Sequence, residues 1–113
     1  MDSVGFLKIK GIGALRVIKI DNKLWFVGKD ICKALGYSSH RCAILRHCKD
    51  YMGYNYPINN IMQYVNIVSE NDVYCLISQS NLLSIDKKEK IIKNGFGWFL
   101  KNKGNWCFKS NKN

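Results

Sequence analysis

Two runs of β-prone residues around short polar turns, interleaved with stretches of helical periodicity, predict an α+β fold of two β-hairpins packed with about four helices. A length of 113 residues leaves room for one core and not for two, so a single domain is expected. An apolar content of 47% exceeds what a disordered chain carries. The folded unit is placed at 14–103, with an entry segment at 1–13 and a polar tail at 104–113.

The first hairpin is read over 14–27, ALRVIKIDNKLWFV, where Leu15, Val17, Trp25 and Val27 flank the polar turn Asp21, Asn22 and Lys23. Gly11 and Gly13 provide a flexible entry into it. They precede a strand and not a helix N-terminus, so they lack the setting in which glycines cradle phosphate. Gly28 closes the second run. KDICKALG then continues as a short amphipathic helix, with Ile31 and Leu35 one turn apart and Lys29 and Lys33 on the opposite side. Gly36 suits a left-handed helix end, and Ser38 or Ser39 can cap a second helix over 40–49. In that helix Ile44, Leu45 and Cys48 form the expected buried stripe, leaving Arg46, His47 and Lys49 outside it. Two helices joined by GYSS have the outline of a helix-turn-helix, the second in the recognition position.

A second hairpin with a long tip is expected over 51–66, the tip holding Pro57 together with Asn55, Asn59 and Asn60. Val65, Ile67 and Val68 make its second arm. Ser69 caps a third helix over 70–80, in which Val73, Leu76 and Ile77 recur at helical spacing. Asp86 can cap a last helix whose Ile92, Phe96 and Phe99 share a face, weakened by Asn94 and Gly95.

Eighteen Lys and Arg against eight Asp and Glu give a formal charge of +10, a self-repulsion that a polyanionic partner would relieve. Nucleic acid is the first candidate; the alternative is a lysine-rich surface in a chain whose Ile, Asn and Lys bias suggests an AT-rich genome. The cations that could meet on one surface are Lys29 and Lys33 on the first helix and Arg41, Arg46, His47 and Lys49 on the second. Arginine is the informative type, since its planar fork can grip a phosphate or bond bidentately to guanine. Against this stands the reading in which Arg41 or Arg46 pairs with Asp50 or Asp30. Tyr54 and Tyr56, in the second hairpin beside Tyr51, are harder to bury together and could stack on unpaired bases, so that hairpin is a second candidate contact.

Other chemistries find less support. His40, Cys42, His47 and Cys48 are close in sequence, but no CxxC pair occurs and Cys48 reads as a small apolar residue, so no metal site is expected. The acids are scattered, and no nucleophile elbow, phosphate loop or HExxH motif is present, so neither an enzyme nor a cofactor is called for. Five cysteines without a regular framework suit a reducing compartment. No apolar stretch approaches the ~20 residues that span a bilayer, and the opening residues lack a signal peptide's apolar core. The chain is therefore read as intracellular with no membrane partner.

The motif WFVGKDICKALGYSS at 25–39, continued by Arg41 and Leu45, and VNIVSENDVYCLISQS at 65–80 resemble, in order, the N-terminal Bro domain of baculovirus repeated-open-reading-frame proteins. That domain is also found in phage antirepressors and other large DNA viruses. The resemblance covers about 14–103 and implies an α+β fold and a DNA-binding, non-enzymatic role in a viral or phage regulatory protein. The host nucleus or cytoplasm would then be its location, duplex or single-stranded DNA its partner, and a homodimer is compatible with it. The same resemblance supplies an alternative, an antirepressor-like module that binds another regulatory protein. Family members commonly carry basic residues just after the third helix, where this chain has Asn81 and Leu82, and a Leu-Pro pair in the last helix that is absent here. Those departures weaken contact through that loop and leave the basic helix over 40–49 as the better candidate.

Overall fold

The structure, a computed structural model, describes residues 3–9, 11–96 and 109–110. Strands β1 (Ser3–Ile9), β2 (Gly13–Ile20) and β3 (Lys23–Val27) form an antiparallel meander that runs directly into helix α1 (Gly28–Ala34). Helix α2 (His40–His47) follows, then the hairpin β4 (Met52–Ile58) and β5 (Ile61–Ser69), helix α3 (Glu70–Gln79) and helix α4 (Ile85–Lys90). A π-helical segment, Ile91–Phe96, continues α4, and a two-residue strand β6 (Lys109–Ser110) pairs with β1. The sheet order is β4-β5-β3-β2-β1-β6.

The predicted α+β domain, with its two hairpins and four helices, is the architecture observed. Both hairpin turns use two residues in the left-handed region, Asp21 and Asn22 (φ 50° and 63°) and Asn59 and Asn60 (φ 49° and 65°). Asp and Asn tolerate that region, and the paired positive φ angles match the right-handed twist of the flanking strands. The long tip expected in the second hairpin is therefore a two-residue turn. Asn55 and Pro57 belong to β4, where proline is tolerated because β4 is the outermost of the described strands and owes no N–H to a further one among them. The entry segment also differs from its reading: Ser3–Ile9 is a strand, paired residue for residue with β2 from Ser3↔Lys19 to Ile9↔Gly13.

The helices cover one face of the sheet. Leu15, Val17, Leu24, Phe26 and Val68 point from the strands into a core completed by Ile31 and Leu35 around α1, Ala43 and Ile44 of α2, and Val73, Leu76 and Ile77 of α3. The opposite face carries a smaller cluster of Ile18, Trp25, Val27, Tyr56 and Ile67. β3 is central and buried on both sides, which is why 24–27 read as a continuous apolar run. Burying a side chain of this size stabilises by about 1.5–3 kcal/mol, so Phe26, at 0% exposure, is among the residues that hold sheet and helices together.

Each helix end has an identifiable cause. Ser39 Oγ accepts from the Cys42 N–H and Ser69 Oγ from the Asp72 N–H, satisfying donors that a helix start leaves unpaired. α4 is capped by Ser84, whose Oγ accepts from the Lys87 N–H, and not by Asp86 as the sequence suggested; Asp86 lies in the first turn instead. α1 ends in a Schellman motif. The Tyr37 N–H donates to the Cys32 carbonyl and the Gly36 N–H to the Lys33 carbonyl, with Gly36 at φ 83°. Of the face expected on the last helix, Ile92 packs against the main core, while Phe99 lies outside the described residues.

Candidate nucleic-acid interface

The Schellman turn sets how α2 leaves α1, and α2 is rotated one position from its expected register. Its inward residues are Ala43 and Ile44, with His40 and His47 half-buried beside them, while Leu45 is 68% exposed. Leu45 was expected in the buried stripe, but in a helix of eight residues the choice of Ile44 with Leu45 or with Ala43 is decided by what faces it. Gly28 decides it: a Cβ there would come within 2.5 Å of Ile44 Cδ1, so the bare backbone of α1 receives the Ile44 side chain. Cys48 remains buried as anticipated.

The rotation gathers the exposed residues. At about 100° per residue, Arg41, Cys42, Leu45 and Arg46 fall on one outward arc of α2, and the exposed Lys49 continues it just beyond the helix end. Lys29 and Lys33 lie one turn apart on the exposed side of α1, which packs against α2. Among the described residues neither Arg41 nor Arg46 forms an ion pair. The acids once offered as their partners are engaged elsewhere or exposed. Asp30 accepts from Arg16 Nε at 2.9 Å and Nη2 at 2.8 Å and also from the Arg16 backbone N–H at 2.9 Å.

That Arg16–Asp30 pair was not anticipated. β3 turns into α1 at Gly28, so Arg16 lies one residue past the last β2–β3 pair, Val17↔Phe26, and Asp30 accepts the N–H that a longer β3 would have used. The Arg16 guanidinium, held charged chiefly by the hydrogen bond to Asp30, sits 5.6 Å from the Tyr56 ring centroid. Tyr56 in turn donates its hydroxyl to the Gly5 carbonyl at 3.2 Å. The series binds α1, β2, β4 and β1 across the sheet.

Tyr56 is for this reason withdrawn as a base-stacking residue: it is 2% exposed, and burial raises its hydroxyl above the usual tyrosine pKa. Tyr54 is half-buried against the same cluster. The tyrosine that does stand out on this hairpin is Tyr64, 76% exposed, which was not among the candidates. Strand alternation could have signalled the difference, since Tyr54 and Tyr56 share a face and Tyr64 lies on the other.

His47 does not join the outward arc. Its ring tilts against Tyr37 at 5.9 Å between centroids, and with Arg46 it lines a cleft of about 580 Å³ whose far wall includes Gln79, Asn81 and Leu82. The loop after α3, where basic residues were noted as missing, thus faces the end of α2 across this cleft. The position of Lys49 is fixed from below by Asp72. This carboxylate, 3% exposed, accepts the backbone N–H groups of Lys49 at 2.9 Å and Asp50 at 2.8 Å, tying the end of α2 to the start of α3.

Among the described residues no group of three or more His, Cys, Asp or Glu side chains is arranged to hold a metal, and no helix is long and apolar enough to cross a membrane. A family model described as the BRO family, N-terminal domain, matches residues 14–94. No curated protein and no solved structure matches the chain.

Proposed function

The chain belongs to the BRO family, as an example of its N-terminal domain, and from that premise we propose that it is a non-enzymatic DNA-binding module of a viral or phage regulatory protein. The outward arc of α2 makes the contact. Arg41, Arg46 and Lys49 neutralise phosphates, Lys29 and Lys33 extend the positive surface along α1, and any base contact comes from the arginines of α2.

One observation carries this reading. Of the three arginines, Arg16 is committed to Asp30, while Arg41 and Arg46 stand exposed on one arc without an acidic partner among the described residues. A guanidinium that no carboxylate among the described residues occupies keeps its capacity for a phosphate or a guanine edge. A net charge of +10 adds long-range attraction to any polyanion.

The test is fluorescence anisotropy with labelled duplex. Arg41→Ala with Arg46→Ala is expected to weaken binding by at least about tenfold, equivalent to ~1.4 kcal/mol, while unfolding stability changes by no more than about 0.5 kcal/mol, as for exposed sites generally. Unchanged affinity in a folded double variant would remove α2 from the interface.

A further inference from the structure

The β4–β5 hairpin differs in kind from the rest of the surface. None of the chain's 18 Lys and Arg or 8 Asp and Glu falls in 51–69, although Lys49, Asp50 and Glu70 resume the charge at either end. Large apolar side chains stand in water there: Tyr64 is 76% exposed, Ile61 66% and Met62 58%, with Tyr51 and Met52 each at 39%. The ladder puts Met62 and Tyr64 on one face of the hairpin, beside Gly53 and Asn55, and Met52 and Ile61 on the other, so large apolar side chains stand exposed on both faces of a segment that carries no charge. β4 is also the outermost strand, with no further strand beyond it among the described residues. Edges of this type are usually blocked by lysine or another charge; here the exposed positions Gly53 and Asn55 bring none, and only Pro57 withdraws a donor, near the tip.

The chemistry of the patch selects its partner. A polyanion or an acidic protein would find no cation to pair with on 51–69. A second copy of this chain brings the same neutral hairpin, and a twofold axis sets the face that carries Met62 and Tyr64 against its own counterpart. The hairpin adds no charge of its own to the repulsion between two chains of net charge +10. We propose that two copies of this chain associate hairpin to hairpin about a twofold axis, setting the neutral apolar surface that contains Met62 and Tyr64 against its counterpart. The association is independent of DNA binding and adds a second surface to the molecule, set apart in sequence from the cations of α1 and α2.

Sedimentation velocity of the full chain across a protein concentration series, at low and high salt and without nucleic acid, tests it. A monomer–dimer equilibrium is expected, tightening as salt screens the repulsion between copies. Asn55→Lys with Met62→Lys, exposed positions on one face of the hairpin, opposes like charges across the contact and is expected to raise the dimer dissociation constant at least about tenfold. An unaltered thermal melt shows that this variant is folded, and Met62→Ser alone, which adds no charge, is expected to weaken the dimer less. A chain that stays monomeric at every concentration and salt overturns the proposal, as does a dimer indifferent to these variants. Loss of DNA affinity in the double variant, measured where the wild type is monomeric, would assign the hairpin to nucleic acid and overturn it equally.

Discussion

Replacing Asp72 by asparagine keeps the shape of the side chain and reverses the polarity of one of its two terminal atoms. Both oxygens of Asp72 are in use, one on the Lys49 N–H at 2.9 Å and the other on the Asp50 N–H at 2.8 Å, in a position only 3% exposed. Asparagine offers one acceptor, and its NH2 group must then face the other backbone N–H. A hydrogen bond to a charged group contributes about 1.5–3 kcal/mol, and a donor stranded away from water costs about 1–3 kcal/mol. One lost bond and one opposed donor together give a destabilisation of roughly 2.5–6 kcal/mol, a large share of the 5–15 kcal/mol typical of a domain. Urea unfolding at neutral pH measures it directly, with an unchanged slope and a lowered midpoint expected. The loosened junction also carries Lys49, so if the outward arc of α2 contacts DNA as proposed, affinity for duplex falls in the folded variant. An Asp72→Asn protein within about 1 kcal/mol of wild type would refute the claim that this carboxylate fastens the end of α2 to α3.

Other consequences are as direct. The register of α2 predicts that Ile44→Ala costs about 2–5 kcal/mol and Leu45→Ala no more than about 0.5 kcal/mol; the reverse order in chemical unfolding would restore the stripe first read from the sequence. Among the described cysteines, Cys42 and Cys75 are exposed, whereas burial pushes the Cys32 thiol up to about 11 and the Cys48 thiol up to about 12. Iodoacetamide at neutral pH should therefore label Cys42 and Cys75 in the folded chain and reach Cys32 and Cys48 only on unfolding, as peptide mapping would show. Because the folded pKa values of Cys32 and Cys48 are raised, both thiols contribute stability that is fully present below the ordinary thiol value of 9.0 and is lost as pH rises through about 11 and 12. Stability that stayed constant across that alkaline range would contradict their burial.

The parts of the fold that could be read from sequence are those determined by near neighbours. Asp21 and Asn22 between two β-rich runs, Gly36 after a helical stripe, and Ser39 and Ser69 ahead of helices each act within a few residues, and each does what its chemistry suggests. Ser84 and Asp86 show the limit of the same logic, since both are good caps two residues apart and only the geometry chooses between them. Pro57 misled because proline argues against a strand unless the strand is an edge, and edge position is a property of the whole sheet. Leu45 misled because the partner of α2 is the bare backbone at Gly28, a contact no helical period contains.

The candidate interface was legible in its residue types and not in their circumstances. Arg41, Arg46, Lys29, Lys33 and Lys49 are exposed as a solvent-facing reading of two amphipathic helices requires. That Asp30 belongs to Arg16, fourteen residues away along the chain, depends on where β3 ends. That Tyr56 is buried follows from β4 reaching across the sheet to Gly5. Neither could be recovered from local pattern, and both changed the site: the first leaves Arg41 and Arg46 without the pairing through Asp30, and the second removes a stacking residue.

The measurement that bears most directly on the account is the salt dependence of duplex binding for the wild type and for Arg41→Ala with Arg46→Ala. If these two arginines neutralise phosphates, the wild-type plot of log affinity against log salt falls steeply, and the slope of the variant is shallower by about two. Equal slopes for two folded proteins, or a wild-type affinity indifferent to salt, would contradict a DNA contact made through the outward arc of α2.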